Sequence, residues 1–371
     1  MIVNLKSQSE LSGFYIVFEG STNLEKPGIY GVSHLLEHLQ CKNFEHLREE
    51  FESNGIDWNA YTSSNNIVFY FVGLESNLKK YRNRLVDLIT DFKITKEQFE
   101  NEKKIVLQEY GSYFGDQDSS HQLNLSRKLF KDYDPIGLRE DLNSMKYMDV
   151  MKFWELQYSK PTKIINVSSS SPFKMDIDFS DIKIDRKYEF GPYDDVSLEQ
   201  RTDYGDKASI IMVSPLVEKD FNYITFVNSM LSTGLSSPLY TEVREKRGLV
   251  YSIRCGQSRF NRQGITSIST KTSTENVEKV YDAVKYVLDN PDRFMTKERF
   301  ETIKNSLLIR IKKEKINRYA NVMRWMSPPE WNIQTILDKV TYDKVMEVYG
   351  KYYDFDKFYL SYDKEEFGKN K

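Results

Sequence analysis

Histidine is scarce in this chain, four in 371 residues, yet two of the four stand in one ten-residue stretch, GVSHLLEHLQ at 31–40. On a helix His34 and His38 lie one turn apart and share a face, so two imidazole nitrogens can be aimed at one ion, with Glu37 bordering that face. Zinc accepts such a pair, and a catalytic zinc site needs one more protein ligand and an open position for water. The stretch also reads as an amphipathic helix with two surface histidines, and by itself it does not choose between the two. Glu102 and Glu109 in TKEQFENEKKIVLQEY sit two turns apart on one stripe with Val106 between them, and either could supply the third ligand. Equally, both acids could share a solvated face with Lys103 and Gln108. His46 and His121 have no motif partner and read as ordinary surface or core histidines.

These residues need elements to position them. GFYIVFEG (13–20) and NIVFYFVG (66–73) show the period-two alternation of strands rich in aromatic and β-branched residues. Behind the second, SNLKKYRNRLVDLI places Leu78, Tyr81, Leu85 and Leu88 on one helical stripe that can cover a sheet. The Thr95–Gln98 pair has capping-box spacing, which predicts a helix from 95 to about 112. A further helix is predicted over roughly 141–158, then a strand in TKIINVSSSS.

The order of elements then repeats. TKEQFE at 95–100 returns as TKERFE at 296–301, and GVSHLLEH at 31–38 has a counterpart in GLSSPLYT at 234–241. Between the copies, 171–195 is rich in proline, serine and acids with little periodicity and reads as a linker. The expectation is a zinc-binding domain over 1–170 and a duplicated, metal-free domain over 196–371. His34, Glu37 and His38 fall opposite Ser237, Tyr240 and Thr241, and Glu109 opposite Arg310, so the second copy cannot bind the ion. Restriction of the polar set to one copy favours chemistry over architecture.

Bulk properties exclude more than they assign. A net charge of -2 from 53 basic and 55 acidic residues gives no field that would collect nucleic acid or an anionic membrane. Cys41 and Cys255 are too few for a disulfide framework or a thiolate zinc cluster, which fits the cytoplasm or another reducing compartment. No signal peptide or membrane span is expected, because no basic region precedes an apolar stretch at the start and no apolar run is long enough.

Taken together, the motifs resemble those of the inverzincin zinc peptidases that include pitrilysin, insulin-degrading enzyme and the mitochondrial processing peptidases. The signature H-x-x-E-H is His34-Leu-Leu-Glu37-His38, and E-x(6)-E follows as Glu102 and Glu109, after an interval short for the family. NAYT at 59–62 matches the strand that pairs with substrate backbone, which implies substrate contacts at Asn59 and Ala60; a loop asparagine capping a strand is the plainer reading. SSPLYTEVREKRGLVYSI at 236–253 matches the family's arginine–tyrosine segment, giving Arg244 and Tyr251. On pattern alone Arg244 could merely complement a helix dipole and Tyr251 could be a core strand residue. DPIGLREDL at 134–142 echoes the family too.

The resemblance implies an α+β fold of two homologous domains, each a mostly antiparallel sheet covered by helices. It implies one zinc ion per chain on His34, His38 and Glu109, with Glu102 orienting a ligand. It further implies a soluble zinc endopeptidase for short or unfolded peptides, in which water at the metal attacks the scissile carbonyl with Glu37 as general base. Tyr251 would stabilise the oxyanion and Arg244 would hold the peptide. Because relatives supply the arginine–tyrosine pair from the facing half of a clamshell, a two-domain chain carrying both elements is expected to form a homodimer with composite sites. The rival expectation is a catalytically silent peptide-binding or scaffold homologue.

Overall fold

The computed structural model describes residues 1–7, 10–131, 136–170, 172–184, 186–191, 206–260, 262–316, 333–362 and 365–368. The chain divides into two compact units, Met1–Tyr113 with Phe130–Glu189 and Phe114–Leu129 with Phe190–Lys371. In chain order the principal elements are β1 (Ile2–Lys6), β2 (Leu11–Glu19), α1 (Val32–Phe44), β3 (Asp57–Thr62), β4 (Asn66–Leu74), α2 (Arg82–Thr90), α3 (Lys96–Tyr113), α4 (Gln117–Leu129), α5 (Tyr147–Gln157) and β5 (Lys163–Ser168). They continue with β6 (Lys207–Val217), α6 (Phe221–Ser232), β7 (Ile253–Phe260), β8 (Gln263–Ser273), α7 (Val277–Asp289), α8 (Lys297–Ile316), α9 (Tyr342–Tyr352), β9 (Tyr359–Tyr362) and β10 (Glu365–Gly368).

The first unit is a five-stranded sheet in the order β1-β5-β2-β4-β3. Only β1 and β5 pair in parallel; β2 is antiparallel to both β5 and β4, and β3 is antiparallel to β4. β2 is buried on both faces from Ser12 to Phe18, as a central strand packed on both sides requires, so its alternation marks two buried faces and not one wet one. Aromatics of the neighbouring strands interlock with α1: Phe44 meets Phe71 of β4 at 5.7 Å and Trp58 of β3 at 4.6 Å between ring centres, both edge to face. α1 is therefore pressed onto β3 and β4 by large apolar contacts.

The capping box at the start of α3 is formed in both directions, Gln98 N–H to Thr95 Oγ1 at 3.1 Å and Thr95 N–H to Gln98 Oε1 at 2.8 Å. Such a cap contributes about 1 kcal/mol to the helix. Two helical expectations need correction. The stripe from Leu78 to Leu88 is split between a short turn Glu75–Leu78 and α2, and Ile89, not Leu88, completes its buried side. The segment 141–158 is likewise two helices, Arg139–Ser144 and α5, the second reset by Asp149 accepting the Lys146 N–H at 2.9 Å.

The second unit repeats the plan with β10-β9-β6-β8-β7, all antiparallel, over a core of Phe226, Met230, Ile268, Val284 and their neighbours from α6 to α9. α4 belongs to this unit, which departs from the expected first domain of 1–170. The physical ties are His121 Nε2 within 2.6 Å of Ser361 Oγ and Gln117 donating to the Lys207 carbonyl at 3.0 Å. Of the expected linker 171–195, residues up to 189 group with the first unit, and 171, 185 and 192–195 lie outside the described residues. Both cysteines are free thiols, and among the described residues no helix is long and apolar enough to cross a membrane.

Candidate metal centre

α1 carries the imidazoles, and its first turn is held by groups distant in sequence. Its N-cap is Gly31 in the left-handed region with φ 95°, which offers no side-chain cap. The buried Glu25 carboxylate replaces one, accepting the N–H of Gly31 and of Ser33, each at 2.8 Å. Asp141 accepts the N–H of Gly28 at 3.0 Å and of Tyr30 at 2.9 Å. Gly137 packs so tightly here that a Cβ on it would stand 2.5 Å from the Gly31 Cα. The segment around Gly137–Asp141 thus has a mechanical task, to seat the start of α1. Asp134 and Pro135 of that motif lie outside the described residues.

Opposite, α3 turns Phe99, Glu102, Val106 and Tyr110 inward. Glu102 is buried, so the solvated-face alternative fails for it, while the Glu109 side chain is 45 % exposed. His34 Nε2 and His38 Nε2 each lie 3.5 Å from Glu109 Oε2, and one ligand atom from each of the three residues falls within 4.8 Å of the others. The imidazole rings stand nearly perpendicular, 88° apart. Ligands on a tetrahedral zinc with bonds of about 2.0–2.1 Å are separated by roughly 3.3 Å, so the measured spacings suit a divalent cation between them. Burial, and secondarily the neighbouring His38, lowers the His34 pKa to about 4, which keeps the ring neutral and its lone pair available at neutral pH.

Glu102 Oε2 lies 3.4 Å from His38 Nδ1, and its other oxygen is 3.2 Å from Lys42 Nζ. A carboxylate at Nδ1 orients the ring and leaves Nε2 as the ligating nitrogen. Glu37 lies in the same cleft, largely buried, and burial pushes its carboxyl above the usual carboxylate range. The Thr62 hydroxyl opposes that rise by donating to Glu37 Oε2 at 2.6 Å. The NAYT motif by itself assigns Thr62 no role. The threonine ending β3 is the visible signal, but its partner is set by how β3 packs on α1.

The cleft has a volume of about 520 Å³ and is floored by β3 from Trp58 to Thr62. β3 is the outer strand of its sheet, with β4 on one side. The Ala60 N–H is engaged by Asn59 Oδ1 at 2.8 Å, so this donor is held by a side chain that a second strand would displace. Asn59 and Ala60 thus stand on the open edge of the same cleft as the His34–His38–Glu109 cluster.

Arg244 and Tyr251 belong to the second unit. Residues Tyr240–Glu245 form a π-helical turn, with Lys246 N–H bonded to the Thr241 carbonyl five residues back at 2.9 Å. It ends at Gly248 with φ 63°, the left-handed conformation expected of a glycine at a helix end. The Arg244 guanidinium lies 4.6 Å from the Tyr240 ring centre and 4.9 Å from that of Tyr251, sandwiched as a cation between aromatic faces, and it also hydrogen-bonds the Tyr240 hydroxyl. The strand begins at Ile253, and Tyr251 precedes it with 82 % of its surface exposed, so it is no core strand residue. His121 is buried on Ser361 and His46 is exposed near Arg84; neither joins the cluster.

Comparison with known proteins identifies the family. Residues 4–134 match the family described as Insulinase (Peptidase family M16), and 176–307 match Peptidase M16 inactive domain. The chain belongs to peptidase family M16, as a short two-domain member. It is 24 % identical over 357 residues to an "uncharacterized zinc protease" of Rickettsia felis, covering 86 % of this chain and 84 % of that one. Among solved structures, a protease from Helicobacter pylori superposes with a TM-score of 0.79 at 15 % identity, covering 97 % of this chain and 96 % of the other. A Pseudomonas fluorescens structure described as a peptidase M16 inactive domain gives 0.73 at 15 % identity, covering 97 % and 94 %. The M16 fold, two α+β domains with antiparallel sheets covered by helices, is thereby established.

Proposed function

We propose that this M16 family member is a zinc-dependent endopeptidase acting on short or unfolded peptides. The observation that carries the reading is the convergence of His34, His38 and Glu109 beside the buried carboxyl of Glu37, on the edge strand β3. His34, His38 and Glu109 would hold the ion, and Glu102 would fix the orientation of His38. When bound, zinc supplies a Lewis acid for the scissile carbonyl and makes water acidic enough to attack near neutral pH. Glu37 takes a proton from the attacking water and returns it to the departing amine; a carboxyl with a raised pKa is suited to both transfers. Thr62 positions Glu37 through its hydroxyl. The peptide runs as an added strand along Asn59 and Ala60, so backbone hydrogen bonds select an extended conformation more than a sequence.

Arg244 and Tyr251 hold the substrate and stabilise the oxyanion. We further propose that they act on the metal site of a second copy of the chain, in a homodimer with two composite sites. Mixing His34→Ala chains with Arg244→Ala chains would then restore activity that neither has alone, because one of the two sites in a mixed dimer is intact. No recovery, in a preparation shown to have exchanged subunits, would rule out shared sites.

The rival reading is a silent peptide-binding homologue, and one substitution separates the two. Glu37→Gln keeps stoichiometric zinc and lowers cleavage of an unstructured peptide by about 10³-fold. A zinc-loaded Glu37→Gln protein that cleaves as fast as its parent would overturn the assignment of the base. A zinc-loaded parent that binds peptide and cleaves none of a broad peptide mixture would favour the silent homologue.

A further inference from the structure

The second unit contains a cavity that the peptidase mechanism leaves unused. β8 alternates strictly: Thr266, Ile268, Thr270 and Thr272 are buried, while Ser267, Ser269, Lys271 and Ser273 occupy the opposite, wetter face. α4 covers part of that polar face. It is tied down at Asp118, whose carboxylate accepts from the Ser209 hydroxyl at 3.0 Å and pairs with Lys271 at 3.0 Å. Between α4, β8 and the outer strand β7 lies a cavity of about 740 Å³.

Its charges do not cancel. Lys271 is answered by Asp118, while Lys207 and the adjacent Asp206 stand together in the same wall. Arg254 is exposed on β7 and, among the described residues, has no side-chain ion pair or hydrogen bond. A guanidinium presents five donors in a planar fork that matches a carboxylate with two parallel hydrogen bonds. The groups beside it in the wall include the hydroxyl residues Ser252 and Ser269, which can donate to the same ligand, and Tyr251 stands in that wall too.

We propose that this cavity binds a carboxylate of the peptide substrate, with Arg254 as the recognising residue. The proposal rests on the peptidase reading, which puts Tyr251 against the substrate; Arg254 follows Tyr251 by three residues on the same strand approach. β7 is the outer strand of its sheet, so an extended segment can lie beside it with a side chain turned into the cavity. The carboxylate can come from an internal Asp or Glu or from the free C-terminus of the peptide.

The test uses the full chain loaded with zinc and one cleavable peptide in four forms: with Glu or with Gln at the position being scanned, each as the C-terminal acid and as the amide. One pair of forms is expected to show about a tenfold advantage in kcat/KM for the carboxylate, carried by KM; which pair it is identifies the source. In Arg254→Gln that ratio falls to near one, and Arg254→Lys recovers part of it. A parent enzyme without carboxylate preference at any position, or a preference that Arg254→Gln leaves unchanged, overturns the proposal. A binding arm separates this failure from failure of the peptidase reading. Anisotropy of the fluorescein-labelled peptides with Glu37→Gln protein should show the same preference, and its loss in the Glu37→Gln/Arg254→Gln double variant, whether or not the parent cleaves.

Discussion

α1 and the π-helical turn at Tyr240–Glu245 occupy corresponding places in two sheets of matching order. β5-β2-β4-β3 has its counterpart in β9-β6-β8-β7, and β3 and β7 are the outer strands. In the first unit the segment is a regular helix, which keeps residues four apart in register and so aligns His34 with His38. In the second the turn is widened, and its polar product is Arg244 stacked between Tyr240 and Tyr251. One framework therefore carries an acid–imidazole cluster in one copy and a cation–aromatic cluster in the other. The difference also reaches the long helix: α3 bears Glu109 where the repeat places Arg310 on α8. The framework supplies position, and a few side chains on the segment beside the outer strand supply chemistry.

Four substitutions test the contrast between the two clusters. The largest effect is expected from contrasting the two clusters. His38→Ala should lose stoichiometric zinc and all measurable peptide cleavage, whereas Arg244→Ala should keep its zinc and lose about 10²-fold in kcat/KM. Metal analysis beside a peptide assay reads both, and zinc retained by His38→Ala would show that the imidazole cluster is not the ligand set. Next comes Glu102→Gln, expected to weaken zinc binding by about 10-fold, read by competition with a chelating dye. Unchanged affinity would reduce Glu102 to a partner of Lys42.

The smallest effect belongs to Thr62→Val, with a loss of a few-fold in rate and a shift in the pH profile. The Thr62 hydroxyl donates to the Glu37 carboxylate and so favours the charged form. Without it, burial acts unopposed by that bond, Glu37 ionises at higher pH, and the acidic limb of kcat/KM moves upward. A limb that stays in place or moves to lower pH would remove Glu37 as the group that limb reports.

His121 gives an independent check on α4. Burial lowers its pKa to about 4, below the ordinary value, so the neutral ring is what the fold holds. Stability from this group is complete above about pH 6.5 and is lost as pH falls toward 4. A His121→Asn variant should therefore unfold in urea with a weaker pH dependence across that window than its parent.

The sequence alone shows which side chains share a helical face, His34 with His38 and Glu102 with Glu109, because that follows from periodicity; the choice of Glu109 as the third member of the cluster came with the family resemblance. The sequence also determined the capped start of α3 and the duplication, since caps and repeats are local or self-similar signals. Tertiary structure decided what those faces meet. That Glu102 turns to His38 while Glu109 approaches both imidazoles follows from α1 packing against α3. The Thr62–Glu37 bond, the Glu25 cap on α1 and the close approach of Gly137 to Gly31 join residues distant in the chain. α4 going with the second unit was not legible either, because an amphipathic helix shows in its sequence that one face is to be buried but not which sheet will bury it.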